Sequence, residues 1–141
     1  MAASGVTVRG IFDQGYVYNI YSATLDMWGL RLLDGNCMLK PSLHPWRVTP
    51  QAIGYAVLPE GDKLHHKVAV LDDATVITGS MNWSSEALRS NDENLLIVHS
   101  PVVAAAFRQE LDRLHAAAVY GPSSSLRSQA VRDAQRCTAP N

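Results

Sequence analysis

A surplus of charge of either sign is missing from this chain. Twelve Lys and Arg stand against thirteen Asp and Glu, a formal net charge of −1. Bulk electrostatics therefore give no argument for a nucleic-acid partner, which has to be argued from a local site. Long apolar runs are missing too. None approaches the roughly 20 residues that span a bilayer. Met1-Ala2-Ala3-Ser4 lacks the basic start and apolar core of a signal peptide, so the expectation is no membrane span and a cytoplasmic location. Cysteine is scarce. Cys37 and Cys137 lie far apart with no CxxC pair, a pattern expected to give neither a disulfide framework nor a zinc site and one that permits a reducing compartment. There is no internal repeat, and the only low-complexity stretch is Ser123-Ser124-Ser125. The composition is 47% hydrophobic and 18% charged over 141 residues. That argues against wholesale disorder and fits one ordinary domain.

Along the chain, Val6 to Ile11 alternates and is β-branched, the pattern of a strand, with Asp13-Gln14-Gly15 closing it. Val17, Ile20, Tyr21, Met27 and Trp28 approximate one helical face, and Gly29 is placed to end that helix. Leu30 to Leu33 reads as a short strand halted by the turn sequence Asp34-Gly35-Asn36. Four prolines between Cys37 and Asp62 predict a long loop with one short strand near Tyr55 to Leu58. Val68 to Leu71 and Thr75 to Thr78 read as a hairpin turning at Asp72-Asp73, and Leu95 to Val98 as a further strand. Ser100-Pro101 starts a helix whose stripe is Val103, Phe107, Leu111, Leu114 and Ala118. Beyond Tyr120 the chain turns to Gly-Pro-Ser-Ser-Ser and a polar remainder, read as a tail or a loosely attached short helix. Strands mixed with helices predict an α/β fold.

One stretch carries chemistry. Residues at alternate positions of a strand project to one side, which places His65 and Lys67 together and sends His66 to the opposite face. If the hairpin forms, its return strand brings Gly79, Ser80 and Asn82 back beside them. Gly79 permits close backbone approach, and Ser80 and Asn82 bring a hydroxyl and an amide. Imidazole, ammonium, hydroxyl and amide at one edge make an oxyanion or phosphate cradle.

His65, Lys67, Asp72, Gly79, Ser80 and Asn82 match the motif H-x-K-x4-D-x6-G-S-x-N without gap or substitution. Six fixed positions at average usage give roughly one chance match in 10⁷ to 10⁸ per starting point. The chain thereby resembles the phospholipase D superfamily, closest to its compact single-motif bacterial endonucleases. Gly5-Val6-Thr7-Val8-Arg9 is similar to the family's Gly-Val-x-Val-Arg strand, and Asp92-Glu93-Asn94 to its downstream acidic segment. The likeness runs from about Gly5 to Leu114. It implies an α/β half-unit with a mixed β-sheet flanked by helices, spanning 1–120 with the motif at 64–84 and a polar tail at 121–141. The family's repeat opens with a further strand and helix before Gly5. The sheet is therefore expected to lack an edge, in a chain that either dispenses with that element or is the C-terminal piece of a longer two-motif protein.

The resemblance further implies a cofactor-free and metal-independent phosphodiesterase. His65 attacks phosphorus to give a phosphohistidine that water opens, and another group protonates the leaving oxygen. Lys67, Ser80 and Asn82 hold the nonbridging oxygens, Glu93 accepts from the far ring nitrogen of His65, and Asp72 supports the site from its turn. One motif per chain implies a homodimer that sets two motifs face to face across its axis. DNA or RNA is the expected substrate. Phospholipid is the alternative, as for a phospholipase or phosphatidyltransferase half, and a non-catalytic binding module is a third reading.

Other residues have plainer readings. A metal at His65, His66, Asp72 and Asp73 matches no defensible zinc spacing. Tyr16, Tyr18 and Tyr21 are expected to pack rather than stack bases. Arg31, Lys40, Arg47, Lys63 and Arg89 read as solvated surface. Trp83 reads equally as packing or as part of the site, and nothing supports a role for His44, Pro45 and Trp46 at the mouth of the site.

Overall fold

The structure is a computed structural model and describes residues 5–40 and 43–138. The α/β class is as expected, but the strands form two three-stranded sheets in two compact units. One unit contains the chain up to Lys63 and from Ala118 onward, and the other is Leu64–Ala117.

In the first unit, β1 (Arg9–Phe12) pairs in parallel with β2 (Ala52–Ala56), which pairs antiparallel with β6 (Ala118–Tyr120). The helix expected from Val17 forms only as α1 (Ala23–Met27). Local side-chain bonds explain the shortening. Asp13 Oδ1 accepts from the Gly15 amide, and Asn19 Oδ1 accepts from the Tyr21 amide. These Asx turns offer the backbone an alternative to the helix ladder until Ser22 caps α1. Gly29 then ends the turn at φ +66, as anticipated for a left-handed stop. The strand expected at Leu30 to Leu33 is reduced to a single bridge, Leu33 to Leu39. Between them, the Asp34 carboxylate accepts from the amides of Asn36 and Met38. Leu25, Leu30, Leu32 and Leu43 form the buried core of this unit.

The polar remainder is a 15-residue helix, α4 (Ser124–Thr138). Leu126, Ala130, Asp133 and Cys137 are spaced as one helical face, and each attaches the helix differently. Leu126 and Ala130 pack on the leucine core. Asp133 accepts from the Leu33 amide at 3.0 Å, and Arg136, beside this face, donates to the Asp34 carbonyl at 2.8 Å. Cys137 is bonded to Cys37 across a separation of 100 residues. The disulfide corrects the reading of both cysteines as unpaired. A spacing rule that looks for close pairs misses a bond that only the return of α4 creates.

The second unit is an antiparallel meander, β3 (Val68–Leu71), β4 (Thr75–Gly79) and β5 (Leu95–His99), with α2 (Ser85–Arg89) before β5 and α3 (Pro101–Ala116) after it. The hairpin, its partner strand and the long helix all lie where the pattern placed them. Ser100 caps α3 by accepting from the Val103 amide, with Pro101 in the first turn. Val103, Phe107, Leu111 and Leu114 face inward, joined by Ala104, whereas Ala118 already belongs to β6. Val76 at the centre of β4 is fully buried.

Candidate active site

The site lies at one end of the β3–β4 hairpin. Val68 pairs with Thr78, so the residues just before β3 lie beside those that end β4. Here the two parts of the motif meet. A cavity of about 480 Å³ is bordered by His65, His66, Lys67 and Gly79, with Phe107 and Glu110 of α3 across from them. The period-two expectation fails for His66, which borders the same cavity as its neighbours. Residues 64–67 precede the strand and are not bound by its pleat. Lys67 Nζ folds back to donate to the His65 carbonyl at 3.0 Å, which ties the ammonium to the histidine segment.

Ser80 follows Gly79 directly and joins the downstream acidic segment. Its hydroxyl donates to Glu93, whose other carboxylate oxygen accepts from the Asn91 side chain at 3.2 Å. Its amide donates to the Asn94 side-chain oxygen at 3.0 Å, and the Asn94 amide donates back to Ser80 Oγ at 3.0 Å. The bonds from Ser80 and Asn91 hold the Glu93 carboxyl below the usual glutamate range, and the nearby Lys67 charge adds to this. A carboxylate with that shift remains an ionised acceptor until the pH falls below its ordinary titration range.

Each expected site residue can now be located. His65, Lys67 and Gly79 border one cavity, and Ser80, next in the chain after Gly79, is bonded to Glu93. Asn82 is exposed in the loop between Ser80 and α2. In place of the bond expected between Glu93 and the His65 ring, the Glu93 carboxylate accepts from Ser80 and Asn91. Asp72 is not brought in. It sits with Asp73 at positive φ in the turn at the opposite end of the hairpin, where Ala74 donates to the Leu71 carbonyl. Five residues of extended chain from Lys67 put it about 17 Å away. Short acidic side chains tolerate this backbone, so Asp72 shapes the turn, while Asp73 pairs with Arg108. Among the described residues, no three His, Cys, Asp or Glu side chains are grouped to hold a metal ion.

Two residues of the candidate site were not singled out in the sequence. Glu110 faces the cavity and is held below the usual glutamate range by its paired bonds from Arg113, with a smaller contribution from His66. The available signal was an acid at a position in step with Phe107 and Leu114 on the inward face of α3. Asn94 lay within the acidic segment already noticed, but nothing local announced its bond to Ser80.

Gly79 makes that bond possible. A Cβ built there lies 2.2 Å from the Asn94 carbonyl oxygen and 2.8 Å from its side-chain oxygen, at φ +156. Gly79→Ala is therefore expected to cost about 2–4 kcal/mol by forcing β4 from β5. Denaturant titration checks this, and an unchanged midpoint refutes it.

Comparison with known proteins places the chain in a family. A family profile described as "Cardiolipin synthase, PLD-like domain" matches residues 1–115. The chain belongs to the phospholipase D superfamily. Mitochondrial cardiolipin hydrolase of Xenopus laevis is 47% identical over 51 residues, covering 36% of this chain and 24% of that protein. The human mitochondrial cardiolipin hydrolase is 39% identical over 51 residues and 20% of its length is covered. The chain thus spans about a quarter or less of the curated relatives it matches. Among solved structures, NucT from Helicobacter pylori superposes with a TM-score of 0.62 at 19% identity, over 85% of this chain and 69% of that one. The fold of this family is thereby seen in the present chain.

Proposed function

We propose that the protein is a metal-independent phosphodiesterase of the phospholipase D superfamily that hydrolyses nucleic-acid phosphodiester bonds through a phosphohistidine on His65. The observation that carries this reading is the cavity shared by His65 and Lys67 next to the Ser80–Glu93 pair. An imidazole nitrogen of His65 bonds to phosphorus as the bond to the leaving oxygen breaks, and a second histidine protonates that oxygen. Water then opens the phosphorus–nitrogen bond and restores the imidazole. Lys67 and Asn82 stabilise the charge on the nonbridging oxygens. The second histidine is His65 of another copy, in a homodimer with one shared site. Leu71, Leu95 and Ile97, on the face of the sheet turned from α3, are exposed, an apolar surface of the kind that two copies bury.

His65, Ser80 and Asn82 are exposed, an accessibility that suits a polymer laid across the site. Phospholipid is the second reading. Trp83 and Leu88, 56% and 71% exposed, are large apolar side chains in the segment after Asn82, and the matched relatives are named as cardiolipin hydrolases.

Labelled single-stranded DNA, RNA, phosphatidylcholine vesicles and cardiolipin vesicles, each with chelator present, separate the readings. Cleavage of DNA or RNA is expected. Cleavage of lipid alone transfers the assignment to the second reading, and loss of all activity in chelator overturns the metal-independent mechanism. Light scattering is expected to give the mass of two chains, and an active monomer refutes the shared site.

A further inference from the structure

Ser80 has little left to offer a substrate. A hydroxyl carries one proton, and that of Ser80 is directed at Glu93. Its amide points to Asn94, at 3.0 Å from the side-chain oxygen and 3.2 Å from the carbonyl. Its oxygen already accepts from the Asn94 amide. Three hydrogen-bond functions of one residue are thus engaged by two consecutive residues of the segment entering β5.

From this geometry we infer that Asn94 is a positioning residue of the site, and that Ser80 serves with Glu93 and Asn94 as a clasp rather than as a ligand of the substrate phosphate. The inference rests on the phosphodiesterase reading for its catalytic consequence. Mechanically, the clasp pins the chain between Gly79, which borders the cavity, and Asn82, two residues past Ser80. Gly79 is what lets the Asn94 backbone approach closely enough to close it. Asn91, bonded to the second oxygen of Glu93, restrains the carboxylate from its other side. Phosphate contacts then fall to donors outside the clasp, Lys67 and Asn82. The Asn94 side chain acts through an acceptor oxygen, which aspartate retains and alanine does not.

The variants N94A, N94D, S80A and S80A/N94A test this against bis-p-nitrophenyl phosphate, with inorganic phosphate as the binding probe and Ser80 amide exchange followed by NMR. N94A is expected to lower kcat about 10–100-fold through misplacement, with KM moving less than about threefold. N94D is expected to recover most of that loss. The double variant should be no more than about threefold slower than the slower single variant, as for residues acting as one unit. S80A should bind inorganic phosphate within about threefold of the parent affinity. Phosphate affinity falling tenfold or more in S80A but not in N94A overturns the clasp, as does an N94D as slow as N94A. If the parent protein turns over no diester, the functional reading fails by itself. Ser80 amide exchange then decides the clasp, which acceleration in N94A supports and no change refutes. Should N94A not fold, phosphate binding by S80A and Ser80 exchange in N94D carry the same decision.

Discussion

His65→Ala is expected to reduce phosphodiester turnover by about three orders of magnitude or more, because the covalent step loses the imidazole at the motif position. His65 is exposed, so the change should leave the unfolding midpoint nearly unmoved. Lys67→Ala should approach the same floor. Its ammonium donates to the His65 carbonyl at 3.0 Å, which joins positive charge to the segment of the proposed nucleophile. Combining the two should add little to either, since an attack that no longer takes place cannot be slowed further by removing its charge stabilisation. His66→Ala separates position from chemistry. His66 borders the same cavity but lies outside the motif, so a loss matching that of His65→Ala would contradict the assignment of the nucleophile. Initial rates with chelator present decide these comparisons, and protein quenched in alkaline denaturant should carry label on histidine in the parent and none in His65→Ala. Unchanged rates in His65→Ala would remove the mechanism and show that the motif is idle in the observed turnover.

The candidate site was legible to the extent that its residues are local in sequence. His65 and Lys67 are two residues apart, and a hairpin with a recognisable turn returns the chain to them, so one short window predicts both the residues and their meeting. The same pattern failed wherever geometry departed from a regular strand. His66 shares the cavity because 64–67 are not pleated. The bonds of Glu93 to Ser80 and Asn91 were not read, because the register between β4 and β5 decides which side chains reach it, and a single sequence does not reveal that register. In the fold, β3, β4 and α3 were readable from strong periods and an N-cap. The stretch from Val17 to Leu33 misled because its spacing resembles a helix and then a strand, while the hydrogen-bonding side chains of Asp13, Asn19 and Asp34 settle it into turns. The docked face of α4 was hidden for another reason: only two of its four residues are apolar.

The second large effect concerns that helix. Replacing both Cys37 and Cys137 by serine is expected to lower the unfolding free energy by about 2–5 kcal/mol, near the value for a cross-link that closes a loop of this length. The bond spans 100 residues, so in the unfolded chain it removes a large share of conformational freedom. Its absence also acts on the folded state. No residue of α4 is buried, and an isolated helix of this length is marginal in water. Without the bond, α4 depends on Leu126, Ala130 and the bonds of Asp133 and Arg136 to the Leu33–Asp34 backbone. Backbone amides of α4 should then exchange faster than those of β2, and the leucine core beneath Leu126 should become more accessible. Denaturant titration measures the first effect and hydrogen exchange the second. A strong reductant applied to the parent protein should reproduce both, which ties the docking of α4 to the redox state of its surroundings. Equal midpoints with and without the bond would mean that the apolar face and its two backbone contacts hold α4 unaided.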